Sequence, residues 1–506
     1  MKKKKVPAQN SDCKPEGEKE DESFDDLLKY IEKEADICFQ CGYCTAVCPV
    51  WMQFQWCSSS PRGKMLALRE RLIDLRRISR KGSSTIKDNK KEAEDEDKDR
   101  KGSAGKESYL FHLEKLRGPS SLFYCTMCLA CQQTCHVGIE FGKLWPSVRK
   151  MLLDGRGVIK NDDSVSCYLP TGLEKAILSV SDPKTSNPSG LLFEKKKEFF
   201  DDVSSYGIST LPKEEDNKSQ NKEAPADGSA AGVFFGCNIS LFDFRAASAL
   251  GKLAKKAGIK LYCLEEEKCC GRLLSLTSAG QWQHSCSHEG NLKTNSDMLR
   301  IFRQNRIVLI LFLCPGCLLE FEKASECLTT SASPKELPAD EKMNLLHIDE
   351  WLINQIETGF LRFRQYSKID GKYLYHRPCE LFRVRQLHGR TEVNSLTLMD
   401  YLFGKDGWEE FCEPVSKCCG AGCGFRATAE SISLEIAAMK IRYALERGFA
   451  GIITSCPSCK NQFKNALARM YQLAGSGENT EDEGMKNKIA SFGVYQTYEF
   501  AARLVE

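Results

Sequence analysis

The chain has 506 residues, 42% of them hydrophobic, and a formal net charge of +3. Such a length suits about three domains at ~150 residues each, and the apolar share is that of a globular protein with true cores. A balance this near neutrality gives no basis for nucleic-acid binding, and no apolar run approaches the ~20 residues needed to cross a bilayer.

Met1 to Lys5 is basic but leads into polar, acidic sequence rather than an apolar stretch, so it is no secretory signal. Residues 1–22 read as a charged, solvated tail. Ser23-Phe24-Asp25-Asp26 reads as a capping box opening a helix whose apolar stripe is Leu27, Leu28 and Ile31. The first cysteine run follows, Cys38-Phe-Gln-Cys41-Gly-Tyr-Cys44-Thr-Ala-Val-Cys48-Pro49. A second helix is expected from Lys64 to Arg77, with Leu68, Leu72 and Leu75 on one face. Residues 82–108 are mixed in charge and lack periodicity, the signature of a disordered insert. Then comes Cys125-Thr-Met-Cys128-Leu-Ala-Cys131-Gln-Gln-Thr-Cys135. Residues 23–165 are therefore expected to form a helical front domain, and 166–230 a linker whose polar end, 211–230, separates it from the rest.

The rear of the chain repeats itself. Cys237 and Cys379 are 142 residues apart, as are Cys314 and Cys456, and the pairs Cys269-Cys270 and Cys418-Cys419 lie 149 apart. Two copies of one unit, 231–365 and 366–506, account for this. In the first copy Val233-Phe234-Phe235 is a strand ending near Cys237, residues 241–256 a helix, and 307–313 a strand ending at Cys314. In the second, Tyr373-Leu374-Tyr375 precedes Cys379 and Ile452-Ile453 precedes Cys456. A helix over 427–447 carries Leu434, Ala437, Ala438, Ile441 and Leu445 at helical spacing. The fold class expected is α/β overall: a helical two-cluster domain, then two repeated α/β domains with mainly parallel strands. Cysteines at the carboxyl ends of such strands stand where these sheets hold ligands.

Eighteen of the 26 cysteines fall into these four groups. Tight Cys-x-x-Cys spacing in a chain without a signal favours metal binding over disulfides, and the reducing cytoplasm as the compartment. Both front runs read C-x2-C-x2-C-x3-C. Three thiolates of such a loop cap three corners of a 4Fe–4S cube, and the fourth is carried off to complete the other cube. One cluster is thus assigned to Cys38, Cys41, Cys44 and Cys135, the second to Cys125, Cys128, Cys131 and Cys48. Structural zinc is the alternative, although it usually takes Cys-x2-Cys pairs across a longer loop. His136 stands in the second run where Pro49 stands in the first. The other eight cysteines, at 13, 57, 167, 263, 286, 327, 412 and 423, read as ordinary thiols.

Each rear copy offers five thiols: Cys237, Cys269, Cys270, Cys314 and Cys317, then Cys379, Cys418, Cys419, Cys456 and Cys459. Adjacent cysteines do not easily share a compact cube, so a cluster of less usual shape is expected. Glycine after each pair permits close backbone approach, and Pro315 and Pro457 suit the first turn of a helix. Gly420-Ala421-Gly422-Cys423-Gly424 lacks the spacing of a dinucleotide loop. With no flavin or nicotinamide fold in sight, electrons must come from a partner. His376 is the candidate proton donor beside Cys379; His284, His288 and His388 read as surface or satisfied residues.

The stretches Cys418-Cys419-Gly420-Ala421-Gly422 and Ser455-Cys456-Pro457-Ser458-Cys459 resemble the cysteine-rich domain of heterodisulfide reductase catalytic subunits. The front resembles the subunit with two 4Fe–4S clusters, and the fusion of both is similar to the D-type subunit over about residues 24–506. Pro61-Arg62-Gly63-Lys64 looks like the segment after the first cluster in iron–sulfur subunits of glycolate and lactate oxidases. The resemblance implies two cubane clusters, two noncubane 4Fe–4S clusters and a small disulfide split between the latter. It implies a flavin-containing donor subunit or a membrane cytochrome b-type subunit as partner, and a peripheral place on the cytoplasmic membrane face through it. Two positions depart from the pattern: Arg377, where an acidic residue is common, and Cys423, where glycine is usual. Arg377 would suit an anionic substrate group. Three functions compete: a disulfide-reducing enzyme, an electron-transfer subunit of a 2-hydroxyacid dehydrogenase or membrane redox complex, and a metal-binding adaptor.

Overall fold

The computed structural model describes residues 24–70, 72, 122–154, 191–211, 230–265, 267–277, 288–331, 343–364, 371–411, 418–474 and 480–506. The front domain is built from α1 (Phe24–Asp36) and α2 (Phe141–Asp154), with short helical turns carrying the cysteine runs between them. Leu27 and Ile31 of α1 and Leu144, Trp145 and Val148 of α2 are buried together, joined by Met65 and Leu68. Each such side chain contributes about 1.5–3 kcal/mol on burial, and the core of this small helical layer continues into the rear copies through Leu319, Val384 and Cys423. The helix expected at 64–77 begins earlier, with 61–70 helical, because proline suits a first turn. The expected insert at 82–108 and the charged tail lie outside the described residues.

Behind it stand two parallel sheets. The first has strands β1 (Ile208–Leu211), β2 (Ala230–Phe234), β3 (Lys260–Leu264), β4 (Leu309–Phe312) and β5 (Asn344–His347) in the order β1-β3-β2-β4-β5. The second has β6 (Tyr373–His376), β7 (Trp408–Glu410), β8 (Gly451–Thr454) and β9 (Gly493–Gln496) in the order β7-β6-β8-β9. All neighbouring strands are parallel. Strand ladders repeat in register: β2 pairs Phe234 with Phe312, and β6 pairs His376 with Thr454.

The linker expected at 166–230 needs correction. It contains helix α3 (Leu191–Asp202) and β1, which pairs with β3 and extends the first sheet by one strand. Phe199 and Phe200 of α3 pack edge-on against Phe235, so this segment belongs to the core. Its lysines, glutamates and serines disguise the buried Phe199, Phe200, Val203 and Ile208 as part of a polar stretch.

Helices α4 (Arg245–Ala257), α5 (His288–Gln304) and α6 (Pro315–Ser331) cover the first sheet; α7 (Glu430–Glu446) and α8 (Pro457–Ala474) take the places of α5 and α6 on the second. Pro315 and Pro457 each open their helix, as the sequence suggests. The two units share one apolar core in which Phe235, Leu250 and Trp351 meet Tyr375, Ile453 and Tyr498. Among the described residues no helix is long and apolar enough to cross a membrane.

Candidate iron–sulfur sites

The two front loops bend in the same way. Gln40 and Gly42 in the first, and Met127 and Leu129 in the second, hold positive φ of 58°, 88°, 50° and 56°. Left-handed residues at alternate positions turn backbone N–H groups inward, a concavity suited to an anionic cluster. Three of the four are not glycine, so the conformation costs energy that surrounding contacts must offset. The Met127 amide donates to Cys125 Sγ at 3.4 Å, and the Gln40 side chain to Cys38 Sγ at the same distance.

A cavity of about 250 Å³ is lined by Cys38, Cys41, Cys44 and Cys135, together with Arg62 and His136. Cys48 lies instead beside Cys125, Cys128 and Cys131. The crossed grouping read from spacing is therefore also the spatial grouping. All these cysteines are free thiols. Burial raises the Cys48 thiol to about 11, an effect the neighbouring Lys64 opposes. Lys64 is itself buried and donates to the carbonyls of Ser59 and Tyr124 at 3.0 and 2.8 Å. A cation set among thiols, and thiol groups converging without disulfides, fit 4Fe–4S clusters as resident groups. Crossed ligation makes a direct forecast. Cys48→Ser should perturb the EPR signal of the second front cluster and spare the first, and Cys135→Ser the reverse; loss of the first signal in the Cys48 variant would refute it.

The five thiols of each rear copy also meet. Cys269 reaches Cys237 and Cys270, and Cys317 reaches Cys270 and Cys314. In the second copy Cys418 and Cys459 both reach Cys419, Cys459 also reaches Cys456, and Cys379 lies beside Cys418. Gly271 and Gly420, at φ of 77° and 92°, turn their amides onto Cys269 and Cys418 Sγ at 3.5 and 3.3 Å. Gly236, at φ 73°, has no room for a side chain: a Cβ would stand 2.9 Å from Cys317 Sγ. These are shells for sulfur ligands with glycine wherever the backbone passes closest.

The rear sets interlock across the interface between the copies. Asn238, next to Cys237, donates to Ser458 Oγ at 3.0 Å within Cys456-Pro457-Ser458-Cys459. Reciprocally, Glu380, next to Cys379, lies so close to Gly316 of the first copy that a Cβ there would meet its carboxylate at 2.8 Å. Arg272 of the first copy binds Glu380 at 2.8 Å and Glu320 at 2.9 Å. The second front set abuts the second rear set: Cys128 and Cys418 are within hydrogen-bonding reach. The buried Arg383 fixes that approach by donating to the Cys128 carbonyl at 2.7 Å and to Gln133 at 3.0 Å.

His376 is buried, 2% exposed, at the end of β6, and its ring meets Phe463 edge-on. Its Nδ1 is 3.4 Å from Lys440 Nζ, and its ring, Cys419 and Cys459 bring their ligand atoms within 4.8 Å of one another. Burial, with Lys440 adding to it, keeps the imidazole neutral far below its usual range. Arg377 is committed to Glu392 and to Glu410 at 3.6 Å and lies over the Phe382 ring. Cys423 takes φ 54°, a conformation glycine adopts freely, and accepts a contact from Arg149 at 3.3 Å. His284 lies outside the described residues. Lys64 entered the sequence reading only as part of Pro61-Arg62-Gly63-Lys64, and Arg149, Arg383 and Lys440 escaped it. Only Lys440 left a signal: it sits at helical spacing inside the apolar stripe of α7, where a lysine must point inward.

A 4Fe-4S dicluster domain model matches residues 34–139, and a cysteine-rich domain model matches 231–322 and 373–464. The D subunit of dihydromethanophenazine:CoB–CoM heterodisulfide reductase from Methanosarcina barkeri is 23% identical, over 85% of this chain and 89% of its own. Its Methanosarcina acetivorans counterpart is 24% identical, over 84% of this chain and 88% of its own. The B subunit of fumarate reductase (CoM/CoB) from Methanothermobacter marburgensis is 23% identical over 48% of this chain and 43% of its own.

Proposed function

This chain is an iron–sulfur oxidoreductase of the fused, D-type heterodisulfide-reductase-like kind, and from that premise we propose that its front sites feed electrons to two rear sites that together reduce a small thiol disulfide. The observation that carries this reading is the reciprocal interlock of two complete five-thiol sets, Asn238 on Ser458 and Glu380 on Gly316. When bound, the clusters supply one-electron transfer and iron able to take a thiolate sulfur. A disulfide takes two electrons, and two facing sites let each sulfur receive one without release of a thiyl radical.

The residues of the chain support the remaining steps. Cys41 is exposed, and Phe39 and Tyr43 beside it are 80% and 56% exposed, so electrons enter at the first front set. The thiols then run in a series: Cys44 near Cys131, Cys128 at Cys418, and the interlocked rear sets beyond. His376, held neutral in its buried site, is not the proton donor expected from its place beside Cys379, because giving up its ring N–H would leave an imidazolate; the protons of the two product thiols come from solvent in this reading. Arg377 would anchor an anionic substrate group by exchanging Glu410, the longer of its ion pairs. The chain works with other subunits, as its relatives named as subunits suggest, and in this reading the partner is a flavin-containing donor or a membrane cytochrome b-type protein.

The test is the full-length chain, reconstituted anaerobically with iron and sulfide and fed by reduced viologen. About 16 irons per chain are expected, four for each of four sites. Dye oxidation should begin when a disulfide of two small thiols is added. A fully loaded chain that ignores every disulfide but still passes electrons to a quinone-like acceptor would overturn the disulfide reading in favour of a relay.

A further inference from the structure

The two rear sites share a backbone plan but differ in the charge placed behind their thiols. Helices α5 and α7 are each 17 residues long and stand 142 residues apart, the same interval that separates the domain matches. Phe234 and His376 occupy the same rung of their ladders, and each packs on the matching aromatic: Phe234 on Phe321 at 4.6 Å, His376 on Phe463 at 5.0 Å. Met298 of α5 stands where Lys440 stands in α7. In the first copy, Cys270 and Cys317 lie in an apolar cluster with Phe234 and Met298. In the second, Cys419 and Cys459 lie beside His376, with the fully buried Lys440 behind it.

We propose that Lys440, with His376, sets the second rear site at a higher reduction potential than the first and so makes it the member of the pair that accepts electrons from the front domain. The inference rests on the functional reading above for the presence of the clusters, and goes beyond it by ranking the two sites. Reduction adds negative charge to a site already rich in thiolates. A buried ammonium offsets that charge at short range, with little solvent to screen it. Around Lys440 stand His376, the Phe411 ring at 4.5 Å, and the thiols of Cys418, Cys419, Cys459 and Cys379, so its charge is directed at the sulfur shell.

Among the described residues the first site has no buried ammonium behind its thiols, Met298 standing in the place of Lys440. The second site also faces one anion, Glu380 beside Cys379. The buried Glu267 carboxylate accepts the Phe235 and Gly236 amides at 3.0 and 2.9 Å, holding the loop that carries Cys237. Lys196, only partly buried, is the cation that acts on Cys237, and its Nζ is tied to the Glu267 carbonyl. Arg272 is matched by Glu320 and Glu380. The ranking also agrees with position, since it is Cys418 of the second site that touches Cys128 of the front domain. Lys440 is a positioning residue here: it touches no substrate and acts through the charge of the site.

The experiment replaces Lys440 by methionine, the first copy's own residue, in the full-length reconstituted chain. EPR-monitored potentiometry then follows the two rear signals. Lys440→Met should make reduction of one rear site at least tenfold less favourable, about 59 mV for a one-electron couple, and leave the other unmoved. Lys440→Arg should restore the potential. If the methionine variant loses iron, Met298→Lys decides: it should raise the potential of the first site and narrow the gap between the two. Unchanged rear potentials in the loaded Lys440→Met chain, or in Met298→Lys where that variant decides, overturn the inference. Failure of the functional reading looks different, because a chain that reduces no disulfide but shows the shift retains the ranking.

Discussion

Cys419→Ala and Cys270→Ala should each abolish viologen-driven disulfide reduction, with a loss of at least about 100-fold, or 2.7 kcal/mol in the barrier. Each of these thiols sits at the centre of its set: Cys270 reaches Cys269 and Cys317, and Cys419 reaches Cys418 and Cys459. Removing the central thiol opens the shell on both sides, and among the described residues neither position has a spare cysteine beside it. The mechanism assigns one sulfur to each site, so either loss is enough. Iron counting distinguishes a lost site from a damaged fold: each variant should retain about three quarters of its iron and keep both front EPR signals. Full activity in a chain that has lost either rear site would end the paired mechanism.

Most of this site was legible in the sequence because sulfur ligands impose spacing. The front runs reveal their crossed grouping, and the repeat interval of 142 residues pairs the rear copies by arithmetic alone. Parallel strands followed from apolar runs ending at cysteines, such as β4 before Cys314 and β8 before Cys456. What spacing leaves out is whatever acts across copies or domains. Asn238 and Ser458 are 220 residues apart, and nothing local marks either as a contact. Arg149 and Arg383 look like surface charges on amphipathic segments, yet both are buried, and each serves a carbonyl of another domain, Leu276 for Arg149 and Cys128 for Arg383. Strand β1 was missed for a simpler reason. Four residues, Ile-Ser-Thr-Leu with only the ends buried, give too short a pattern to stand out from polar flanks.

The second large effect is expected from Arg149, which joins all three parts of the molecule. It is fully buried in α2 of the front domain, where its Nε and Nη2 donate to the Leu122 carbonyl at 3.2 and 2.7 Å. Its Nη1 reaches the Leu276 carbonyl of the first rear copy at 2.6 Å and Cys423 Sγ of the second at 3.3 Å. Its guanidinium also lies over the Phe123 ring. Arg149→Met fills the space but leaves two carbonyls without their donor, at about 1–3 kcal/mol each. The total expected loss is about 3–5 kcal/mol, the size expected when a buried polar network is broken. Arg149→Lys should recover little of it, since one ammonium on a flexible stem cannot serve acceptors on three segments in the plane of a guanidinium. Anaerobic denaturant unfolding of the loaded chain measures the effect. Beyond the lower midpoint, the front domain should separate from the rear at lower denaturant than in the unaltered chain, because the same side chain holds both interfaces. An unfolding curve shifted by less than about 1 kcal/mol would mean that these contacts are satisfied by water once the arginine is gone, and that Arg383 alone keeps Cys128 against Cys418.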